Sequence, residues 1–144
     1  MVLQLVLLLV VGVAGVLGPG WPGSWDRLTW ALVAVCVVGA AVLLGGGIAH
    51  LGAQVTPFPK PVEGGELKDG GVYGLVRHPM YGGALLLCLG YSLAASPLAL
   101  VPTALLALLF EGKRRREEAW LAERHPGYED YRRRVRRSFI PYVW

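Results

Sequence analysis

Four apolar blocks without a polar face constrain this chain more than any other feature. They run from Val2 to Leu17, from Leu28 to about Ala53, from Met80 to Ala95 and from Pro97 to Phe110. Helices around a soluble core keep a polar stripe for water, recurring with the helical period. These blocks offer none, so a soluble helical bundle is the weaker reading. A bilayer asks for roughly 20 apolar residues per helix, with a lower limit near 17. The second block clears that length, and the others reach it where their helices continue into the interface. Composition agrees, with 54% hydrophobic and only 17% charged residues in a chain of 144. The expected architecture is an all-α integral membrane protein with about four transmembrane helices, approximately 2–17, 28–53, 80–95 and 97–112, forming one domain over 1–144. Ser96-Pro97 is the one break between the last two blocks and predicts a tight helical hairpin.

Charge placement sets the expected topology. With four spans, both termini lie on the same side as the loop 54–79. That side collects Lys60, Lys68, Arg77, Lys113 and every arginine from Arg114 onward, against Arg27 alone on the other. The positive-inside rule then puts the loop, the tail and both termini in the cytoplasm, as in a multi-pass protein of the cell inner membrane. The first block lacks the Lys or Arg of a signal-peptide n-region and has no clean cleavage site, so it reads as a retained helix. The arginines of the tail 113–144 are expected to meet anionic lipid headgroups, with no nucleic-acid partner. Oligomeric state is left open.

Polar chemistry gathers at two places on that cytoplasmic side. The first is Gly71-Val72-Tyr73-Gly74-Leu75-Val76-Arg77-His78-Pro79-Met80-Tyr81-Gly82-Gly83, at the mouth of the third apolar block. A protein that merely held helices together would have little use for a cation, an imidazole and two tyrosines there. The loop before it carries prolines at 57, 59 and 61, which favour an extended path, followed by glycines that allow close backbone approach. The second place is Glu111 to about Arg124, good helix-forming sequence that predicts one continuous helix out of the fourth block. Glu117 and Glu118 sit there behind four cations, and an anionic membrane surface repels such a pair. Helix-surface ion pairing with Lys113 or Arg114 is the plain alternative. Pro126-Gly127 breaks the helix, and Tyr128, Tyr131 and Val135 then recur on a short amphipathic segment. Cys36 and Cys88 lie inside apolar blocks and read as small hydrophobes. His50 follows Gly45-Gly46-Gly47, a run suited to close helix packing, and reads as structural.

The pattern Gly-x-Tyr-x-x-x-Arg-His-Pro-x-Tyr-x-Gly, then Glu-Glu beyond a hairpin, then Tyr-x-x-Tyr and a basic stretch ending Phe-Ile-Pro, resembles the isoprenylcysteine carboxyl methyltransferase family and the related membrane phospholipid methyltransferases. The matching residues include Gly71, Tyr73, Arg77, His78, Pro79, Tyr81, Gly83, Glu117, Glu118, Tyr128, Tyr131 and Phe139–Pro141. The resemblance implies methyl transfer from S-adenosylmethionine, reached from the cytoplasm, to a lipophilic or membrane-embedded acceptor. It implies cofactor contacts from Leu67, Lys68, Tyr73, Arg77, His78, Pro79, Tyr81, Gly83, Glu117 and Tyr131. In particular, His78 and Tyr81 would meet the methionine end, Tyr73, Leu67 and Lys68 the nucleoside, and Glu117 a cationic or hydroxyl group. Glu118, Lys113 and Arg114 are the candidate catalytic residues, and no metal is implied. A carboxylate acceptor needs no base and could be held by Lys113 or Arg114. An amine acceptor needs one, for which Glu118 or His78 is the candidate. An NADPH-dependent, sterol-reductase-like enzyme and a non-catalytic anionic-lipid-binding module are the alternative readings.

Overall fold

A computed structural model of the chain describes residues 1–23, 27–52, 67 and 69–143. These residues form five α-helices and two short 3-10 turns, with no strand among them. The helices are α1 (Val2–Leu17), α2 (Arg27–Leu51), α3 (Pro79–Ala95), α4 (Leu100–Arg124) and α5 (Tyr128–Arg134). The all-α expectation therefore holds. Most of the expected loop 54–79, Lys68 included, lies outside the described residues.

The four apolar blocks are all helical, but their lengths differ from four equal spans. Among the described residues only α2, with 25 residues, is long and apolar enough throughout to cross a bilayer. α1 and α3 are apolar but have 16 and 17 residues, at or below the lower limit of about 17. α4 also has 25 residues, of which the second half is charged. Just 22% of the most apolar window of α2 is buried by the protein itself. Leu9, Val35, Val38 and Leu108 likewise turn outward. Soluble chains rarely expose apolar surface on that scale.

The chain divides into two compact units. The first comprises Met1–Ala40 and Ala84–Leu109. Here the hairpin expected at Ser96-Pro97 exists, but α4 begins at Leu100, three residues later than the sequence indicates, after a 3-10 turn over Pro97–Ala99. The reason is local. The Ser96 hydroxyl accepts from the Leu98 N–H at 3.2 Å and donates to the Pro19 carbonyl at 2.7 Å, and that capped turn takes up the first residues. Buried hydroxyls in this unit are satisfied in the same way. Ser92 donates to the Cys88 carbonyl at 2.7 Å and stands 3.0 Å from the Thr103 hydroxyl. In an apolar setting an unpaired hydroxyl would cost about 1–3 kcal/mol. Tyr91 donates to the Gly12 carbonyl at 2.9 Å across the space that the missing side chain of Gly15 leaves.

The second unit comprises Ala41–Gly83 and Phe110–Trp144. Gly46 lets the end of α2 approach the 3-10 turn at Gly71–Gly74, since a Cβ there would stand 2.5 Å from Val72. The glycine run is thus a packing device, as its sequence indicates. α4 continues unbroken to Arg124 and stops before Pro126-Gly127, also as expected. The amphipathic α5 buries Tyr128 and Tyr131 with Val135, against Leu67 and Leu121. Its arginines face outward.

Candidate active site

The site is built where the entry to α3 meets the charged half of α4, within the second unit. Residues 76–78 run ahead of α3 and pair with the chain's C-terminal segment. The Arg77 N–H donates to the Arg137 carbonyl at 3.0 Å and the His78 N–H to the Ser138 carbonyl at 2.8 Å. Pro79 then opens the helix at a position where its missing N–H has no cost. Gly82, one turn in, is obligatory. A Cβ there would lie 1.8 Å from the Phe139 carbonyl oxygen, which is backbone and cannot step aside alone.

On α4, Glu111, Arg114 and Glu118 fall three and four residues apart on one face. Arg114 donates from Nε to Glu111 at 2.8 Å and from Nη1 to Glu118 Oε2 at 3.1 Å. The other oxygen of Glu118, Oε1, receives Arg77 Nε at 2.9 Å and stands 3.1 Å from His78 Nε2. The opposite ring nitrogen, Nδ1, lies 3.3 Å from Glu117 Oε2. Glu117 Oε1 accepts from the Tyr81 hydroxyl. His78 and Tyr81 rings stack with centroids 5.8 Å apart, and Tyr81 stacks on Phe110 at 4.6 Å.

This geometry fixes protonation. Burial pushes His78 toward the neutral form, but a carboxylate on each nitrogen outweighs it and holds the imidazole above its usual range. Burial likewise works against ionised Glu118. Hydrogen bonds and charge from His78 and Arg77 overcome it and hold the carboxyl at about 2. Tyr73 is pushed up to about 12, first by burial and then by the charge of Glu117, which puts its phenol within electrostatic range of the same carboxylate. Burial lowers Lys113 while Glu117 opposes the shift, and its Nζ sits 4.9 Å from the Tyr81 ring centroid.

A pH dependence of stability follows. The depressed Glu118 contributes stability above the ordinary carboxylate range near 4, and this is lost as pH falls toward about 2. The raised His78 contributes stability in full below about 6.5, and this is lost as pH rises through its elevated value. Thermal melting across pH should therefore show a plateau between these limbs, and His78→Gln should remove the alkaline limb. Persistence of that limb in the variant would assign it to another group.

The residues that the sequence singles out separate into two groups. His78, Tyr81, Glu117, Glu118, Arg77 and Arg114 come together in one hydrogen-bonded network, with Lys113 beside it. Tyr73, Tyr131 and Leu67 form a neighbouring patch. Tyr131 donates to the Tyr73 carbonyl at 2.8 Å, and Leu67 packs on the tyrosine cluster. Pro79 and Gly83 are buried in the first turns of α3. Lys68 lies outside the described residues. His50 packs against the Tyr73 ring, 6.0 Å between centroids, and against Gly71, whose φ of +56° a side chain would strain. Sequence reasoning missed Ser138 and the Val135 carbonyl. Neither has a signal of its own, because each acts through Arg77, 61 and 58 residues away in the chain.

A model of the phospholipid methyltransferase family matches residues 28–126, well over half of the chain. The chain belongs to the phospholipid methyltransferase family. The match takes in α2, α3 and α4, with both halves of the site just described, and ends before α5. No curated protein matches the chain at a significant level. Family membership makes this chain a membrane-associated protein of methyltransferase type.

Proposed function

We propose that this chain is an S-adenosylmethionine-dependent integral membrane methyltransferase acting on a lipophilic or membrane-embedded carboxylate. The observation that carries the reading is Glu117. It is positioned by Tyr81 and His78, yet its side chain is the least buried of the three charged groups, 15% exposed against 8% for His78 and 7% for Glu118. An anion held in place at a partly open position suits a cationic ligand.

The donor set fits the cofactor. Glu117 matches its ammonium or sulfonium. The His78 imidazole, its pKa raised by the two carboxylates, and the N–H groups of the first turn of α3 match its carboxylate. Tyr73 and Tyr131 offer an aromatic patch for the nucleoside. When bound, S-adenosylmethionine supplies a methyl carbon already activated by its sulfonium. The protein then has to orient the two reactants and exclude water, which can contribute several kcal/mol to lowering the barrier.

The acceptor end favours a carboxylate. Of the two candidate cations, we assign Lys113, with Nζ 4.9 Å from the Tyr81 ring centroid, to the acceptor, and Arg114 to the network with Glu111 and Glu118. An amine would need a base. Glu118 at about 2 is a weak one, and the carboxylates at both ring nitrogens of His78 raise its pKa and so favour its protonated form. Glu118 acts here as the anchor of the network. The outward apolar faces of α1, α2 and α4 support a lipid-embedded protein, and the charge placement in the sequence supports four spans with both termini cytoplasmic. The exposed arginines of α5 suit anionic headgroups.

The decisive experiment is transfer of radiolabelled methyl from S-adenosylmethionine to total membrane lipid. Label released as methanol by mild alkali is the expected result, because methyl esters hydrolyse and N-methyl groups do not. Alkali-stable label would transfer the reading to an amine acceptor. No label in any lipid fraction would remove it.

A further inference from the structure

Arg77 has each of its three guanidinium nitrogens bonded within the protein. Its guanidinium donates from Nε to Glu118 Oε1 at 2.9 Å, from Nη1 to the Val135 carbonyl at 2.6 Å and from Nη2 to the Ser138 hydroxyl at 2.9 Å. The side chain is buried. The same C-terminal segment takes the backbone N–H groups of Arg77 and His78 and sets the Phe139 ring edge-on to His78, 6.1 Å between centroids. The Phe139 carbonyl fills the space above Gly82. Apart from Glu118, every one of these partners lies beyond residue 126, where the family match stops.

We propose that Val135–Phe139 is a working part of the active site and that Arg77 is the positioning residue through which it acts. The inference rests on the methyltransferase reading for its consequence in binding, though not for its geometry. A guanidinium is a planar fork with fixed donor directions. Two of its acceptors belong to the tail and the third is Glu118, so the tail fixes the plane in which Glu118 is held. Glu118 Oε1 is shared between Arg77 Nε and His78 Nε2. Any rotation of the fork therefore shifts the imidazole, and with it the Nδ1 contact to Glu117. The groups facing His78 are Glu117, Glu118, Arg77 on the shared oxygen, the stacked Tyr81 ring and the edge of Phe139.

The charge of the tail is separable from this clamp. Arg133 pairs with Asp130 at 2.6 Å, and both side chains are more than three quarters exposed. Lipid attraction by the outer arginines and positioning by the inner segment are thus two functions of one stretch of chain.

The test uses the full chain in detergent micelles, with S-adenosylhomocysteine titrated calorimetrically and the His78 ring labelled with carbon-13 and titrated by NMR. His78→Asn assigns the resonance. Ser138→Ala removes one tail acceptor and should weaken binding roughly 10-fold. Arg77→Lys keeps the charge but cannot reach three acceptors at once, and should weaken it by roughly 10- to 100-fold. Arg77→Gln removes the cation that competes for Glu118 Oε1, so His78 should keep its proton to higher pH. Arg133→Gln should change none of these readouts. Wild-type affinity in both Ser138→Ala and Arg77→Lys would overturn the proposal. So would early melting with the His78 titration unmoved, because Arg77 would then only hold the fold together. If the wild-type chain binds no S-adenosylhomocysteine, the methyltransferase reading falls, and the His78 titration alone decides whether the tail positions the network.

Discussion

Glu118→Ala is expected to destabilise the protein by about 3–5 kcal/mol, the cost of leaving buried charges without their partner. Arg77, His78 and Arg114 all converge on this carboxylate, at 2.9, 3.1 and 3.1 Å. Removing it leaves buried Arg77 with no carboxylate, while Arg114 keeps Glu111 and His78 keeps Glu117. Part of the loss is returned by His78, which can give up a proton once one of its two carboxylates is gone. The variant should therefore recover stability at alkaline pH relative to wild type, opposite in sign to the His78 limb described above. Glu118→Gln keeps the volume and one acceptor oxygen, so its loss should be smaller. Glu111→Ala is the control. Glu111 pairs with Arg114 and with the exposed Arg115, its side chain is 20% exposed, and its loss should cost no more than about 1 kcal/mol. Thermal or denaturant unfolding in the same detergent measures all three. Equal losses for Glu111 and Glu118 would mean that the network has no buried centre.

The contrast between these glutamates shows how far the sequence could be read. Helix positions were legible because apolar blocks, Ser96-Pro97 and Pro126-Gly127 act through local backbone physics, and α1 through α5 follow them closely. The meeting of His78 with Glu117 and Glu118 was legible as well, since a hairpin between two apolar helices returns the chain to the side it left. What sequence order does not encode is which partner wins. Arg77 sits in the most chemically suggestive stretch of the chain, and its pattern reads as a ligand-binding cation. Its three acceptors come from α4 and the distant tail, so its role is set by tertiary packing alone. Arg114 and Lys113 differ by one position on a helix, about 100° of rotation. That rotation turns one into the Glu118 pair and the other toward Tyr81. Ser138 belongs to a basic run with no periodicity to mark it. Hydropathy also locates α1 and α3, whose 16 and 17 residues stand at or below the length a bilayer asks of one helix.

Glu117→Gln should leave the fold intact and remove the cofactor. The substitution preserves an oxygen to accept from Tyr81 and costs the buried network little, because Glu118 and not Glu117 neutralises Arg77 and Arg114. What it takes away is a negative charge that is more exposed than its partner His78 and its neighbour Glu118. A charge-assisted hydrogen bond contributes about 1.5–3 kcal/mol, so affinity for S-adenosylhomocysteine should fall by roughly 10- to 100-fold. The comparison with S-adenosylmethionine makes the experiment sharper. Both ligands carry the ammonium, but only the methyl donor carries the sulfonium. If Glu117 faces the ammonium, the two affinities fall together. If it lies nearer the sulfonium, the methyl donor loses more than the product, and the carboxylate also favours release of the spent cofactor. Tyr81→Phe should produce a smaller loss in either case, because it frees Glu117 without neutralising it. Unchanged affinity for both ligands in Glu117→Gln would remove the carboxylate from the cofactor site and with it the observation on which the assignment rests.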